Sequence, residues 1–357
     1  MRRGLAPIFR WGIGSSPALS SISPSKEDFL EGGESGAAAP QATRLKSGVN
    51  KSEPRVNPMF IHTKSRDALR DEVSTQVRCF YENAPFPGIP FERVSSFSEL
   101  EARAGIYARC LSKQLPSDAR VIDVGCGTGQ LSCLLGQSRG RRLIGVDFSL
   151  NSLREGKRLA SVLGLGNVAF VQADIFNLPF GSEEFDYALC HGVLHHTAEP
   201  FQGLLELGRL IHKGGFASVG LYNSYGRVLH GCRRWLWRKG LVRRNVSPNG
   251  FYREDSEGAS ETTLRSWFRD QFENPHEVTV SIAQAERWLS DAGLCLLRLF
   301  PAALSSGLES GVRVFSPEKT RCSLRTGFCH LARQLMWMLR PRESGYFIMV
   351  GAKRDGR

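Results

Sequence analysis

The stretch RVIDVGCGTGQLSCLL, residues 120–135, constrains the fold of this chain more than any other feature. Its first part, VIDV, is typical of a buried strand, and leucines at helical spacing close it. Between them three glycines alternate with other residues: Gly125, Gly127 and Gly129. Glycine accepts positive φ without steric cost and lets a ligand touch the backbone. The stretch predicts a strand, a tight turn and a helix whose N-terminal N–H groups face an anionic ligand.

Further strand-like runs alternate with helical patterns along the chain. We place strands at 120–124, 142–147, 167–172, 185–190, 215–222, 294–299 and 345–352. The helical pattern PFQGLLELGRLI is predicted to begin near Thr197, a good N-cap, with Pro200 in its first turn. It is predicted to end at Gly214 and Gly215. This alternation predicts an α/β fold with a doubly wound, mostly parallel sheet and helices on both faces.

Composition and pattern divide the chain into five segments. They are a disordered tail over 1–55, a helical cap over 56–119, a ligand-binding core over 120–222, an insertion over 223–281 and a completion of the sheet over 282–357. The tail is rich in Ser, Gly, Ala and Pro and lacks apolar periodicity. Its first 26 residues contain four basic residues and no acid, as transit peptides do. We expect a cytoplasmic protein, with a mitochondrial location as the alternative.

The totals exclude several classes of protein. Nine cysteines are scattered without a C-x-x-C pair, which argues against a zinc site and against a secreted disulfide scaffold. We therefore expect no metal. No apolar run approaches the roughly 20 residues that span a bilayer, so no membrane span is expected. The net charge of +12 favours phosphates or anionic membranes as partners, or belongs to a solvated surface.

Polar side chains follow the carboxyl ends of the predicted strands, where open parallel sheets bind ligands. Asp147 ends the second strand about 20 residues after the glycine loop, a spacing that suits ribose hydroxyls. Asp174 after the third strand suits an adenine, because an acid can accept from its amine while the apolar Ile175 packs on the ring. The NAD fingerprint G-x-G-x-x-G has two residues before its last glycine, whereas this loop has only one, so the loop does not match that fingerprint.

Together these motifs resemble those of the class I S-adenosylmethionine-dependent methyltransferases, of the type 11 or 25 domain. The resemblance lies in DVGCGTG at 123–129, GVDFS at 145–149, QADIFNLPF at 172–180, FDYALCHGVLHHT at 185–197 and HKGGFASVGLYN at 212–223. It implies a seven-stranded Rossmann-like sheet whose last strand is antiparallel. It also implies an enzyme that uses S-adenosyl-L-methionine as its cofactor.

The resemblance further implies roles for individual residues. Gly125 and Gly127 would lie against the amino-acid part of the cofactor, Asp147 on the ribose, and Phe148 beside the adenine. FYENAPFPG at 80–88 resembles a cofactor-covering segment, so Tyr81 would close over the methionine end. The full predicted cofactor set is Tyr81, Asp123, Gly125, Cys126, Gly127, Gly129, Asp147, Phe148, Ser149, Asp174, Ile175 and Cys190.

Three residues are candidates to act on the methyl acceptor: His191, His195 and Tyr222. A neutral histidine can take a proton from an alcohol or phenol, and Tyr222 follows strand five, where a substrate would lie. Enzymes that methylate amino groups of bases and glutamine typically carry D/N-P-P-Y after strand four. This chain has CHGV at that place. We therefore expect a small-molecule or lipid-like acceptor with an oxygen or nitrogen nucleophile.

The insertion leaves alternatives open. A long excursion after strand five is typical of a lid over the acceptor. Its Arg-rich part, 227–244, could instead bind RNA phosphates, making the protein an RNA methyltransferase. Trp235 and Trp237 could then stack on bases, or they could anchor the segment to the domain or to a membrane surface. A third possibility is an inactive scaffold that keeps only the cofactor fold.

Overall fold

The computed structural model describes residues 65–87, 94–241, 261–300, 313–317, 326–339 and 345–354. The tail predicted over 1–55 and the last basic residues of the 227–244 stretch lie outside the described residues. In the described part of the chain, no helix combines the length and apolar character needed to cross a bilayer.

The described strands form one seven-stranded sheet. They are β1 Arg120–Val124, β2 Arg142–Asp147, β3 Val168–Gln172, β4 Phe185–His191, β5 Ile211–Tyr222, β6 Leu294–Phe300 and β7 Tyr346–Lys353. Their order is β3-β2-β1-β4-β5-β7-β6. Strands β1 to β5 pair in parallel, and β7 pairs antiparallel with both β5 and β6. The predicted doubly wound, mostly parallel sheet with an antiparallel last strand is confirmed, and its order reverses between β1 and β4.

Helices cover both faces of this sheet. They are α1 Arg66–Asn83, α2 Phe97–Arg103, α3 Ile106–Gln114, α4 Gln130–Leu135, α5 Leu150–Val162, α6 Pro200–Leu210, α7 Val228–Arg238, α8 Glu261–Phe268, α9 Ile282–Asp291 and α10 Thr326–Leu339. A 3-10 turn lies at Leu194–His196, and a π-helical turn at Arg269–Glu273 extends α8. Two buried clusters result. Leu111 and Leu134 belong to the cluster on one face, and Leu207, Leu289 and Trp337 to the cluster on the other.

The junction between α6 and β5 differs from the prediction. Thr197 does not cap α6; its hydroxyl donates to a carbonyl of the preceding 3-10 turn at 2.7 Å. The helix ends at Leu210, and β5 begins at Ile211, four residues before the predicted strand. Pairing with β4 then shifts register through a bulge that contains Gly214, whose φ is 79°. The glycines that seemed to end the helix thus belong to a bulged strand.

Candidate active site

The glycine loop links β1 to α4 at the switch point of the sheet. Gly125, Gly127 and Gly129 have φ of 73°, 53° and 71°. A side chain at Gly127 would lie 2.5 Å from the Phe86 carbonyl oxygen, and one at Gly125 would overlap Val193. The chain itself therefore approaches both α-carbons, and Phe86 covers the loop by accepting a hydrogen bond from Thr128 N. That a ligand also lies against these glycines stays a prediction.

Asp147 ends β2 beside this loop, as predicted. Its Oδ2 accepts from Gly127 N and its Oδ1 from Ser149 N, both at 2.9 Å. The side chain is buried, and burial raises the pKa of its carboxyl to about 6. Each carboxylate oxygen has a second lone pair. The arrangement therefore fits a ribose whose hydroxyls donate to Asp147.

The three residues predicted to contact the adenine differ in their exposure. Phe148 is partly exposed, with its ring centroid 6.4 Å from that of Tyr81. Asp174 is also partly exposed, and its Oδ1 accepts from Phe176 N at 3.0 Å. Ile175 is buried in the core near α6, so it does not offer a surface to an adenine ring. That predicted contact is therefore wrong.

Of three other predicted cofactor residues, Asp123 and Cys190 lie beneath the loop, and Cys126 is part of it. Asp123 is buried and accepts from Ser132 Oγ at 2.7 Å, which ties the end of β1 to α4. Burial raises the pKa of Asp123 to about 6 and raises that of the Cys126 thiol. Cys190 is fully buried in β4. Asp123 and Cys190 therefore support the loop from the sheet interior.

Two polar residues that the sequence did not single out lie at the start of α4. The atoms Thr128 Oγ1 and Gln130 Oε1 are buried and have no hydrogen-bond partner among the described residues. A buried polar atom without a partner is costly, so such atoms point to a missing ligand. Their place beside the glycine loop fits the ammonium and carboxylate groups of a methionine.

Tyr81 joins α1 to the insertion. Its hydroxyl donates to Asp270 Oδ1 at 2.6 Å and accepts from Asn274 Nδ2 at 2.9 Å. Asp270 and Asn274 are buried and belong to the π-helical turn and the residue that follows it. The sequence predicted Tyr81 as a cover of the cofactor, but it gave no signal for these two partners because they lie about 190 residues away.

Tyr222 ends β5 within the same polar cluster. Its hydroxyl accepts from Gln271 Nε2 at 2.7 Å, and the guanidinium carbon of Arg227 lies 3.7 Å from its ring centroid. The ring of His195 packs against it with centroids 3.8 Å apart. Burial raises the pKa of Tyr222, so its hydroxyl is a neutral hydrogen-bonding group.

The three histidines after β4 differ in their contacts. His191 Nε2 lies 2.7 Å from Ser218 Oγ, which pairs in turn with the Tyr107 hydroxyl at 2.6 Å. Burial lowers the pKa of His191 to about 3 and lowers that of His195. His195 is buried, and its Nδ1 has no hydrogen-bond partner within the described residues. The predicted base His191 is thus neutral and held in a buried hydrogen-bonded chain.

His196 was not predicted as a site residue. Its Nδ1 lies 2.8 Å from the His276 carbonyl oxygen, which makes Nδ1 the protonated nitrogen. Its Nε2 is buried, lacks a hydrogen-bond partner in the part of the chain that is described, and lies 3.8 Å from Asp270 Oδ1. The ring centroid is 6.2 Å from that of Tyr81 and 6.1 Å from that of Tyr222. His196 Nε2 is therefore a second acceptor nitrogen in the polar cluster.

A buried ion pair anchors the insertion here. Arg227 Nη2 lies 2.6 Å from Glu277 Oε2, and its Nη1 donates to Gln271 Oε1 at 2.7 Å. Arg234 Nη1 reaches the same carboxylate at 2.9 Å. Burial favours the neutral acid, but the two guanidinium groups hold the pKa of Glu277 below its ordinary value. Two arginines of the basic stretch are therefore occupied inside the fold.

The glycine loop, the acid after β2 and the topology together define a Rossmann-like domain whose ligand site lies at the carboxyl ends of the strands. Residues 115–245 match the family model described as a methyltransferase domain. Residues 115–245 thus match a methyltransferase domain, in agreement with the resemblance, which implies S-adenosyl-L-methionine as the cofactor.

Several curated proteins are similar over this region. A demethylmenaquinone methyltransferase of Clavibacter sepedonicus is 38% identical over 42% of this chain and 63% of its own length. A tRNA U34 carboxymethyltransferase of Campylobacter hominis is 28% identical over 41% and 52%. An uncharacterized protein of a Synechococcus strain is 26% identical over 64% and 61%. This chain thus spans less than two thirds of the length of each of these relatives.

Among solved structures, PKMT2 of Rickettsia typhi in complex with AdoHcy has the same fold. The match has a TM-score of 0.51 and 18% sequence identity, and it covers 71% of this chain and 53% of that one. The fold of this chain is therefore shared with about half of a solved structure that was determined with AdoHcy bound.

Proposed function

We propose that the protein transfers a methyl group from S-adenosylmethionine to an oxygen or nitrogen of a small-molecule or lipid-like acceptor. One observation carries the acceptor assignment. His195 Nδ1 and His196 Nε2 are buried without hydrogen-bond partners among the described residues, beside Tyr81, Tyr222 and Asp270. Two such nitrogens in one cluster suit an acceptor that donates an O–H or N–H group.

The residues of the proposed site would have different roles in methyl transfer. The bound cofactor supplies a methyl group on a sulfonium, which is already activated. Asp147 would hold the ribose, and Tyr81 would fix the methionine end against the insertion. His195 and His196 would orient the acceptor, and His196 Nε2, 3.8 Å from Asp270 Oδ1, would take up its proton as the nucleophile attacks. Holding the reactants in line in this way can supply roughly 7–11 kcal/mol of the barrier reduction.

The insertion would act as a lid over the acceptor. Asp270, Gln271 and Asn274 all come from its returning part, and they contact Tyr81 of α1 and Tyr222 of β5. Polar groups from a segment outside the minimal α/β unit therefore enclose the acceptor end of the site. This enclosure supports a compact acceptor better than a polymer that must pass through the site.

The contacts of the basic stretch weaken the RNA alternative without removing it. Arg234 pairs with Glu277, and the Trp237 ring packs against Phe268 and Phe272 with centroids 5.6 Å and 5.9 Å away. Trp237 is therefore occupied by the fold, as an anchor, and is not presented to bases. The inactive-scaffold alternative conflicts with the complete glycine and acid set around Asp147.

A labelling experiment tests the proposal. Purified protein is incubated with methyl-labelled S-adenosylmethionine and either a lipid and metabolite extract or total RNA. Demethylmenaquinone is a defined first probe, because curated relatives are named for it. We expect label in the extract fraction and strongly reduced label with His195→Asn or His196→Asn. The control His212→Asn changes a histidine that pairs with Asp186 at the start of β5, and should retain activity.

Three results would contradict parts of this proposal. Label in the RNA fraction alone would favour the RNA methyltransferase. No label in either fraction, with normal cofactor binding by calorimetry, would favour the scaffold. Full activity of both histidine variants would show that the buried nitrogens do not touch the acceptor.

A further inference from the structure

Helix α7 exposes apolar side chains on the face that points away from the domain. Val228, Leu229 and Trp235 are 45%, 42% and 56% exposed, and Leu241 just beyond the helix is 68% exposed. Single exposed apolar residues are ordinary, but a group on one helix face indicates an interaction surface. We call these four residues the α7 outer face.

Helical spacing explains why this face is free while the opposite one is occupied. Val228, Cys232, Trp235 and Lys239 follow one another at intervals of four, three and four residues, so they share one side of the helix. On the other side His230 Nε2 lies 3.1 Å from the Gln271 carbonyl oxygen, and Trp237 packs on Phe272. The α7 outer face thus lies one helix diameter, about 10–12 Å, from the residues that enclose the acceptor.

Positive charge accompanies the α7 outer face. Arg233 and Lys239 are exposed on the helix and at its C-cap. The sequence contains no acidic residue from position 207 to position 253. The cations therefore meet no neighbouring carboxylate along the sequence, and the surface is both apolar and basic.

A second helix next to α7 also exposes apolar side chains. On α10, Leu331 and Leu335 are 42% and 40% exposed and are four residues apart, so they share one face. The backbone of Gly226, just before α7, lies against Trp337 of α10: a Cβ at Gly226 would be 3.4 Å from the Trp337 Cβ. The two helices with exposed apolar faces are therefore adjacent at this point.

We propose that the α7 outer face docks on an anionic lipid surface. Val228, Leu229 and Leu241 would enter the boundary between headgroups and acyl chains, Trp235 would lie at the interface, and Arg233 and Lys239 would pair with lipid phosphates. RNA fits this surface less well, because aliphatic side chains gain nothing from phosphates and cannot stack as aromatic rings do. The proposal does not depend on the identity of the methyl acceptor.

Vesicle flotation with the full chain tests the proposal. The vesicles contain phosphatidylcholine alone or phosphatidylcholine mixed with phosphatidylserine. We expect binding to the mixed vesicles that falls as salt rises, with weaker binding to the neutral ones. Leu229→Asp and Trp235→Ala should each lower partitioning by about tenfold or more, since each removes an apolar side chain that would be buried in the lipid on docking. Arg233→Glu with Lys239→Glu should lower binding to the mixed vesicles only.

A matched control separates this surface from general stickiness. Val162 on α5 is 55% exposed, and Val162→Asp should leave vesicle binding unchanged. All variants change exposed side chains, and unchanged melting temperatures confirm that they fold. The proposal is overturned if the wild type ignores mixed vesicles, or if Leu229→Asp binds them as well as the wild type. It is also overturned if Trp235→Ala instead abolishes RNA binding or self-association while vesicle binding persists.

Discussion

Asp147 should make cofactor binding depend on pH between 5 and 7. Its carboxyl has a pKa of about 6 in the free protein because burial disfavours the charged form. In the proposed site, ribose hydroxyls would donate to the ionised carboxylate, so the proton would have to leave when the cofactor binds. The affinity should therefore be nearly full above pH 7 and should fall as the pH decreases through 6.

The size of the effect follows from this pKa. With a pKa of about 6, roughly one tenth of Asp147 is protonated at pH 7 and roughly nine tenths at pH 5. The Kd for S-adenosylmethionine should therefore rise about tenfold from pH 7 to pH 5, or about 1.4 kcal/mol. Isothermal titration calorimetry measures this Kd directly. Because the α-amino group of the ligand titrates above pH 7, its charge changes little between pH 5 and pH 7.

Two variants identify the titrating group. Asp147→Asn should bind more weakly at pH 7 and should show no change between pH 7 and pH 5. Asp123→Asn is the matched control, because Asp123 has a similar pKa but accepts from Ser132 beneath the loop. It should keep the pH dependence. An equal Kd at pH 5 and pH 7 for the wild type, or a flat profile only in Asp123→Asn, would refute the assignment of Asp147.

Two further predictions concern the packing around the acceptor end. Gly220→Ala should destabilise the protein by about 1–3 kcal/mol, because its new methyl group would overlap the Tyr346 hydroxyl; thermal unfolding that matches the wild type would contradict this. Arg227→Ala should cost about 3–5 kcal/mol, since it leaves the buried Glu277 carboxylate without its main partner. The control Arg158→Ala removes an exposed ion pair with Glu155 and should cost less than about 1 kcal/mol. Denaturant titration of both arginine variants measures the two free energies of unfolding.

The sheet was predictable because its signals are local. A run of β-branched residues, a glycine turn and a helix pattern each depend on neighbouring residues, and β1, β2 and β4 begin where the sequence predicts. The start of β5 was not predictable in this way. Ile211 pairs with Phe185 across a bulge, and the HKGG sequence that follows looks like the end of a helix until its partner strand is known.

The cofactor half of the site was more predictable than the acceptor half. Asp147 and the glycine loop occupy fixed places after two strands, so topology positions them. Asp270 and Asn274 reach Tyr81 from a turn almost 190 residues away, and no spacing rule connects them. Sequence reasoning also could not separate His195 from His196. The tertiary contacts of each ring, above all the His276 carbonyl beside His196, determine which nitrogen is protonated.

The hydrogen bond between Tyr81 and Asp270 joins α1, the proposed cover of the cofactor, to the insertion, the proposed lid over the acceptor. Tyr81→Phe removes a bond to an acidic group worth about 1.5–3 kcal/mol and leaves Asp270 buried with one partner fewer. The turn Arg269–Glu273 should then open at least about tenfold more often. Hydrogen exchange of its amides should become faster by that factor, while the amides of β1 should exchange as in the wild type. Tyr107→Phe, which removes a hydroxyl paired with Ser218 in the core, is the control and should leave that turn protected. If exchange in the turn is the same in Tyr81→Phe and the wild type, this hydrogen bond does not couple α1 to the insertion.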